Sequence, residues 1–178
     1  MKESTEYIVR MIGRTLEGEI EGTDEFVEAI IGARKVFIYG VGRSGLIAKA
    51  FAIRLVQMGL EVYFVGETVT PIVEEGHLVV IVSHTGETMS AVQTANIVRR
   101  VGARVITITA NPHSKLASAS NVIISITPPK DEDRRTLAPL GTLFEDATLI
   151  YLDGIVARLM EKLGQGEGQM RKRHAIWV

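Results

Sequence analysis

Short apolar runs alternate with longer stretches of helical periodicity through the middle of this chain. Val36-Phe37-Ile38-Tyr39, Val62-Tyr63-Phe64-Val65, Leu78-Val79-Val80-Ile81-Val82, Val105-Ile106-Thr107-Ile108-Thr109 and Val122-Ile123-Ile124-Ser125-Ile126 read as strands. Several lack the in–out alternation of a half-solvated strand, the pattern expected where helices cover both faces of a parallel sheet. Between them, Leu46 to Met58 and Met89 to Val101 have apolar residues at helical spacing, and they stop at Gly59 and Gly102. Glycine suits a helix C-terminus. This order of strands and helices predicts α/β architecture: a three-layer α/β/α sandwich around a five-stranded parallel sheet.

The flanks are helical. Ile8, Met11, Ile12 and Leu16 recur at helical spacing. A break at Gly22-Thr23-Asp24 follows, then a second short helix through Phe26, Val27, Ile30 and Ile31. After a polar loop from Pro128 to Pro139, a long helix is predicted from Thr142 to Leu163. Leu143, Phe144, Leu149, Ile150, Leu152, Ile155, Val156, Leu159 and Met160 spread over more than one stripe of it. Such a helix needs cover on several sides, one of them expected from a neighbouring subunit. Gly164 to Gly168 reads as a flexible connection. The whole, 1–178, reads as one domain: N-terminal helices over 1–32, an α/β core over 33–163 and a C-terminal tail over 164–178.

Composition narrows the chemistry. The net charge is −1, which offers nothing to nucleic acid, and Arg171-Lys172-Arg173 is a short terminal cluster. Without cysteine there is no disulfide, thiolate chemistry or Cys-ligated zinc. No apolar run approaches the ~20 residues that span a membrane, and the N-terminus lacks a signal-peptide core, so a cytoplasmic protein is expected. His77, His84 and His113 lack metal-ligand spacing, and no carboxylate pair suits a cage. Neither metal nor cofactor is expected.

Two strand–helix junctions carry the candidate chemistry. Ser83-His84-Thr85-Gly86-Glu87-Thr88 lies between the third strand and a helix start. Backbone N–H groups and the helix dipole favour an anion there, hydroxyls add neutral donors, and Gly86 lets the backbone approach. This loop reads as a phosphate cradle formed by Ser83, Thr85, Gly86 and Thr88; the plainer alternative is a set of helix N-caps. Gly40-Val41-Gly42-Arg43-Ser44-Gly45 follows the first strand and fits G-x-G-x-x-G. With Glu67 near the second strand's end, a dinucleotide site stands as one reading. Against it, Arg43 and Ser44 suit a sugar phosphate equally well, and the second hydroxyl-rich loop has no duty in a dinucleotide site. Glu145, in the first turn of the long helix, shares the stripe of Leu149 and Leu152, where burial raises a carboxylate's pKa and the helix N-terminus opposes it.

The loop from Ser83 to Thr88 resembles the S-x-[S/T]-G-x-T phosphate loop of the sugar isomerase (SIS) domain family, a flavodoxin/Rossmann-like fold. The chain from Val36 to Leu163 is similar to the compact 6-phospho-3-hexuloisomerase branch of that family. The similarity includes Val65-Gly66-Glu67-Thr68-Val69-Thr70-Pro71, Pro139-Leu140-Gly141-Thr142-Leu143-Phe144-Glu145 and the tail Lys172-Arg173-His174. Gln57 stands where some relatives have histidine, so that histidine's role does not carry over. The resemblance implies a ketose phosphate isomerase of the ribulose monophosphate pathway. It would interconvert D-arabino-hex-3-ulose 6-phosphate and fructose 6-phosphate through a cis-enediolate. Glu145 would be the base, with Asp146 its neighbouring competitor, and Gly42, Arg43 and Ser44 would contact the sugar phosphate. The resemblance also implies a homo-oligomer, expected as a tetramer, whose neighbouring copies bring His174 near each site as an acid. Two rivals remain: another aldose–ketose phosphate isomerase, or a non-catalytic sugar-phosphate-binding regulatory module.

Overall fold

The computed structural model describes residues 1–176. Five strands, β1 (Val36–Gly40), β2 (Val62–Phe64), β3 (Leu78–Val82), β4 (Arg104–Thr109) and β5 (Val122–Ser125), form one sheet. All neighbours are parallel, in the order β2-β1-β3-β4-β5. The helices are α1 (Lys2–Thr15), α2 (Thr23–Gly32), α3 (Gly42–Gln57), α4 (Met89–Arg100), α5 (Lys115–Ser118), α6 (Arg134–Leu137), α7 (Thr142–Leu163) and α8 (Glu167–Lys172). Each expected strand and long helix is present, with ends shifted by a few residues at most.

The two sheet faces bury alternate residues of the same strands. Val36 and Ile38 of β1 and Val80 and Val82 of β3 pack with α2, α3 and α7. Phe37, Val79, Ile81 and Val105 pack on the opposite face with Ala91, Ala95 and Val98 of α4 and Leu116 of α5. β3 is therefore buried throughout, which explains its unbroken apolar run. Phe26, Phe37 and Phe144 are fully enclosed, and each such ring contributes roughly 1.5–3 kcal/mol by leaving water.

α7 is covered on several sides, as its sequence requires, but from within the chain. It packs against α1, α2 and α3. Ile150, at 51% exposure, is its one large apolar side chain left open among the described residues. The glycine-rich stretch after α7 is also more ordered than expected. Gly164 ends the helix in the left-handed region at φ 60°, and Gln169 reaches back to the Gly166 N–H at 2.8 Å to start α8.

Strand order reverses between β1 and β3, because β1 leads outward to β2 while β3 leads to β4. In doubly wound sheets the crevice outside the strand ends at this point is where ligands bind. The close approach of α3 to β1 fixes one wall. A Cβ on Gly45 would stand 2.5 Å from the Gly40 carbonyl oxygen, so only glycine permits this contact.

Candidate active site

A cleft of about 110 Å³ opens at the β1/β3 switch point, lined by Val41, Ser44, Val82, Ser83, His84, Thr85, Thr88 and Ala91. It gathers both loops singled out from the sequence. α3 and α4 begin here, and neither has a side-chain hydrogen bond capping its N-terminus. The N-cap alternative for the hydroxyls thus fails: Thr88 occupies the N-cap of α4 without capping it. The first-turn amides are left to water or an anion.

The hydroxyls are arranged by their own backbone. Gly86 N–H donates to Ser83 Oγ at 3.3 Å, and Glu87 N–H donates to Thr85 Oγ1 at 3.2 Å. Each oxygen accepts one bond, and Ser83 Oγ also donates a long one to Thr88 Oγ1. Ser83 Oγ and Thr88 Oγ1 lie 3.5 Å apart, close enough to serve one ligand oxygen cluster. Gly86 is obligatory: its φ is +64°, and a Cβ would stand 2.0 Å from Ser114 Oγ. Gly42, at φ +58°, makes the other turn, with open space where its Cβ would be.

Glu145 reaches this cleft through Ser44. Ser44 Oγ donates to Glu145 Oε1 at 3.3 Å, and Ser44 lines the cleft directly. Arg43 Nε sits 2.6 Å from Glu145 Oε2, while its Nη2 sits 2.5 Å from Asp146 Oδ1. One guanidinium therefore ties both carboxylates. Glu145 is 7% exposed. Its burial pushes the carboxyl pKa up, outweighing the opposing pull of Arg43 and Ser44; Asp146 adds to the rise. A carboxylate in this state gains and loses protons more readily near neutral pH than a solvated one.

His84 joins the site, although the sequence marks it only as a histidine without metal partners. Its ring stacks on Phe144 with centroids 5.0 Å apart. Burial, helped by Arg134, lowers its pKa, so it stays neutral at pH 7. His84 and Thr85 also form the wall shared with a neighbouring cleft of about 540 Å³, which Asn111, Thr127, Lys130 and Arg134 line. The polar loop expected as a surface segment or cover supplies that cleft's cations. No signal short of the fold itself points to Arg134.

Other expected residues lie elsewhere. Glu67 is ion-paired with Lys49 at 2.7 Å and does not line the cleft, so the dinucleotide reading lacks its ribose-binding acid. His174 is not beside Glu145 within the chain. It lines a separate pocket with Arg54, Gln57, Asp153, Met170 and Arg171. His77 is buried and accepts a hydrogen bond from the Glu74 N–H at 3.0 Å, a structural role. Among the described residues, no three His, Asp or Glu side chains cluster as metal ligands. Among them too, no helix is long and apolar enough to cross a membrane.

The family model of the SIS domain matches residues 29–145, which takes in both loops and ends on Glu145. The chain belongs to the SIS domain family. Within it, the 3-hexulose-6-phosphate isomerase of Bacillus subtilis is 35% identical over 97% of this chain and 98% of its own length. The 3-hexulose-6-phosphate isomerase of Methanocaldococcus jannaschii is 37% identical over 85% of this chain and 81% of its own. A hypothetical protein of Methanococcus jannaschii, whose structure infers a molecular function of 3-hexulose-6-phosphate isomerase, shares the fold. It aligns with a TM-score of 0.85 at 31% identity, covering 100% of each chain. In SIS terms, the hydroxyl loop, the G-x-G-x-x-G turn and the start of α7 are three segments far apart in sequence that meet at one crevice.

Proposed function

We propose that this chain isomerises D-arabino-hex-3-ulose 6-phosphate and fructose 6-phosphate by proton transfer through a cis-enediolate. The observation that carries the reading is a buried carboxylate with a raised pKa, linked through Ser44 to a cleft of hydroxyls and uncapped helix N-termini. The first part suits carbon acid chemistry and the second a phosphomonoester. Its relatives' names support the same pairing of substrate and reaction.

The phosphate sits among Ser83, Thr85, Gly86 and Thr88, where each hydrogen bond to the charged group contributes roughly 1.5–3 kcal/mol. The sugar extends past Gly42 and Ser44 toward Glu145. Glu145 removes the C2 proton of the 3-ulose and the electrons form the C2–C3 double bond of the enediolate. A proton is returned at C3 and the O2 hydroxyl proton passes to O3, giving the carbonyl at C2 and a hydroxyl at C3. Arg43, held beside Glu145 by its ion pairs, is the cation proposed to stabilise the developing oxyanion. No step needs a metal or an oxidant.

The working form is proposed as a homo-oligomer, a tetramer. Leu46 and Ile53 on α3 and Val69 and Ile72 in the β2–β3 connection are apolar side chains left more than half exposed. A neighbouring copy would also let His174 act as an acid at a site it does not reach within its own chain. Light scattering after size exclusion measures the assembly. Activity on free sugar phosphates fits a cytoplasmic location, and the chain is proposed to act as one domain.

Incubation with fructose 6-phosphate in D₂O, followed by NMR, tests the reaction. Deuterium entering at C3 marks the C2–C3 enediolate. Deuterium at C1 instead identifies an aldose–ketose isomerase, and neither product nor exchange identifies a binding module.

A further inference from the structure

Glu145 is gripped on one side by Arg43 and Ser44, and on the other by a turn. A Cβ on Gly141 would stand 3.2 Å from the Glu145 carboxylate, so the backbone there packs directly on the reacting group. The turn runs Pro139-Leu140-Gly141, and Thr142 closes it. Thr142 N–H and Oγ1 both donate to the Pro139 carbonyl, at 3.3 Å and 2.7 Å. The middle residue is strained. Leu140 has φ 58°, the one non-glycine residue with positive φ among the described residues. A left-handed conformation costs a side chain like this roughly 1–2 kcal/mol. At 91% exposure, Leu140 regains nothing by burial.

One side chain holds the strained turn from outside. Arg134 Nη2 donates to the Leu140 carbonyl at 3.2 Å. Arg134 is itself anchored: its N–H donates to Asp131 Oδ1 at 3.0 Å, and Tyr7 Oη of α1 donates to the same oxygen at 2.6 Å. Ser4 Oγ of α1 bonds the Leu137 carbonyl at 2.6 Å, fixing the other end of α6. An unbroken set of contacts thus runs from α1 through α6 to the turn and on to Glu145.

We infer that Arg134 is a positioning residue for the isomerisation, latching the left-handed Leu140 turn against the Glu145 carboxylate. The inference rests on Glu145 as the base. Arg134 acts through the turn, although its side chain also lines the 540 Å³ cleft beside His84 and Thr85. A direct grip on substrate is therefore the rival that the test must separate.

Arg134→Met keeps the aliphatic stem and removes the donor; Arg134→Lys restores a single donor. Steady-state kinetics on fructose 6-phosphate should show kcat reduced about 10- to 100-fold by the Met variant, with KM changed by less than about twofold. The Lys variant should recover much of the loss. In a Leu140→Gly background the turn no longer needs a latch, so Arg134→Met should then lower kcat by less than about threefold. Three results would overturn the latch: a raised KM at unchanged kcat, which makes Arg134 a substrate contact; wild-type kinetics in the Met variant; or an undiminished kcat loss in the Leu140→Gly background. Should the Met variant fail to fold, the Lys and Leu140→Gly variants alone carry the test, since a latch requires both to retain KM and the Lys variant to exceed about a tenth of wild-type kcat, the smallest loss expected of the Met variant. Glu145→Gln separates the two levels. Full turnover there sinks the base assignment itself, whereas an inactive Gln variant beside a normal Met variant sinks only the latch.

Discussion

Replacing Glu145 by glutamine should abolish turnover and leave the protein no less stable. The side chain keeps its shape and its bond to Ser44, but loses the charge that burial disfavours. As a proton-transfer group, its loss should lower kcat by roughly 10²–10⁴, or about 2.7–5.5 kcal/mol in barrier, with little change in KM. Stability follows from the raised pKa. The folded protein holds this proton more tightly than the unfolded chain does, so ionising Glu145 works against the fold. That penalty is absent below the unfolded carboxylate's pKa. It grows as pH rises through the window up to the raised folded value, and is complete above it. Arg43 offsets part of it and, being half exposed and still paired with Asp146, is not stranded when Glu145 is neutralised. The net change at pH 7 should be a gain of no more than about 1 kcal/mol, or up to about 2–4 °C in Tm for a chain of this size. The gain should disappear near pH 4. Calorimetric melts at pH 7 and pH 4, beside the D₂O exchange assay, measure both effects. A carboxylate serving only to complement the α7 dipole predicts the reverse: a stability loss of about 0.3–1 kcal/mol with activity intact. That outcome would refute the catalytic assignment.

Ser83→Ala and Thr88→Ala should each raise the KM for fructose 6-phosphate by roughly 10-fold or more, as expected for a lost bond to a charged group. Unchanged affinity by calorimetric titration would move the phosphate elsewhere. Gly86→Ala should lower Tm by several degrees or prevent folding, since the new Cβ meets Ser114 and the backbone is left-handed, a strain of roughly 1–3 kcal/mol on its own. EDTA should leave the rate unchanged, because the proposed chemistry uses only side chains; loss of turnover restored by added metal would contradict it.

The sheet was readable because its signals are local. Five apolar runs with covered faces, and two glycines ending helices, need no long-range information to interpret. The phosphate loop was equally legible, since hydroxyls and Gly86 lie within six consecutive residues. Arg43 shows the limit. The sequence places it in the right turn, but its bridge to Glu145 and Asp146, about a hundred positions away in the chain, exists only in the fold. Glu67 looks like a ribose acid by spacing, yet Lys49, a neighbour only after folding, takes it. The helical restart after Gly164 has a local signal: Gln169, three residues beyond Gly166, accepts from the Gly166 N–H. His174 keeps its proposed role only through another copy of the chain, a placement that a single sequence encodes nowhere locally.

Among the described residues no lysine or arginine lines the switch-point cleft; alcohols, a neutral imidazole and the apolar Val41, Val82 and Ala91 form its walls, and Lys130 and Arg134 line the adjoining cleft. A phosphate held in the switch-point cleft, as proposed, would be gripped at short range by oriented dipoles. Ionic strength should then alter substrate affinity less than it would in a cradle of lysines. Such a pocket would select its guest by outline more than by charge.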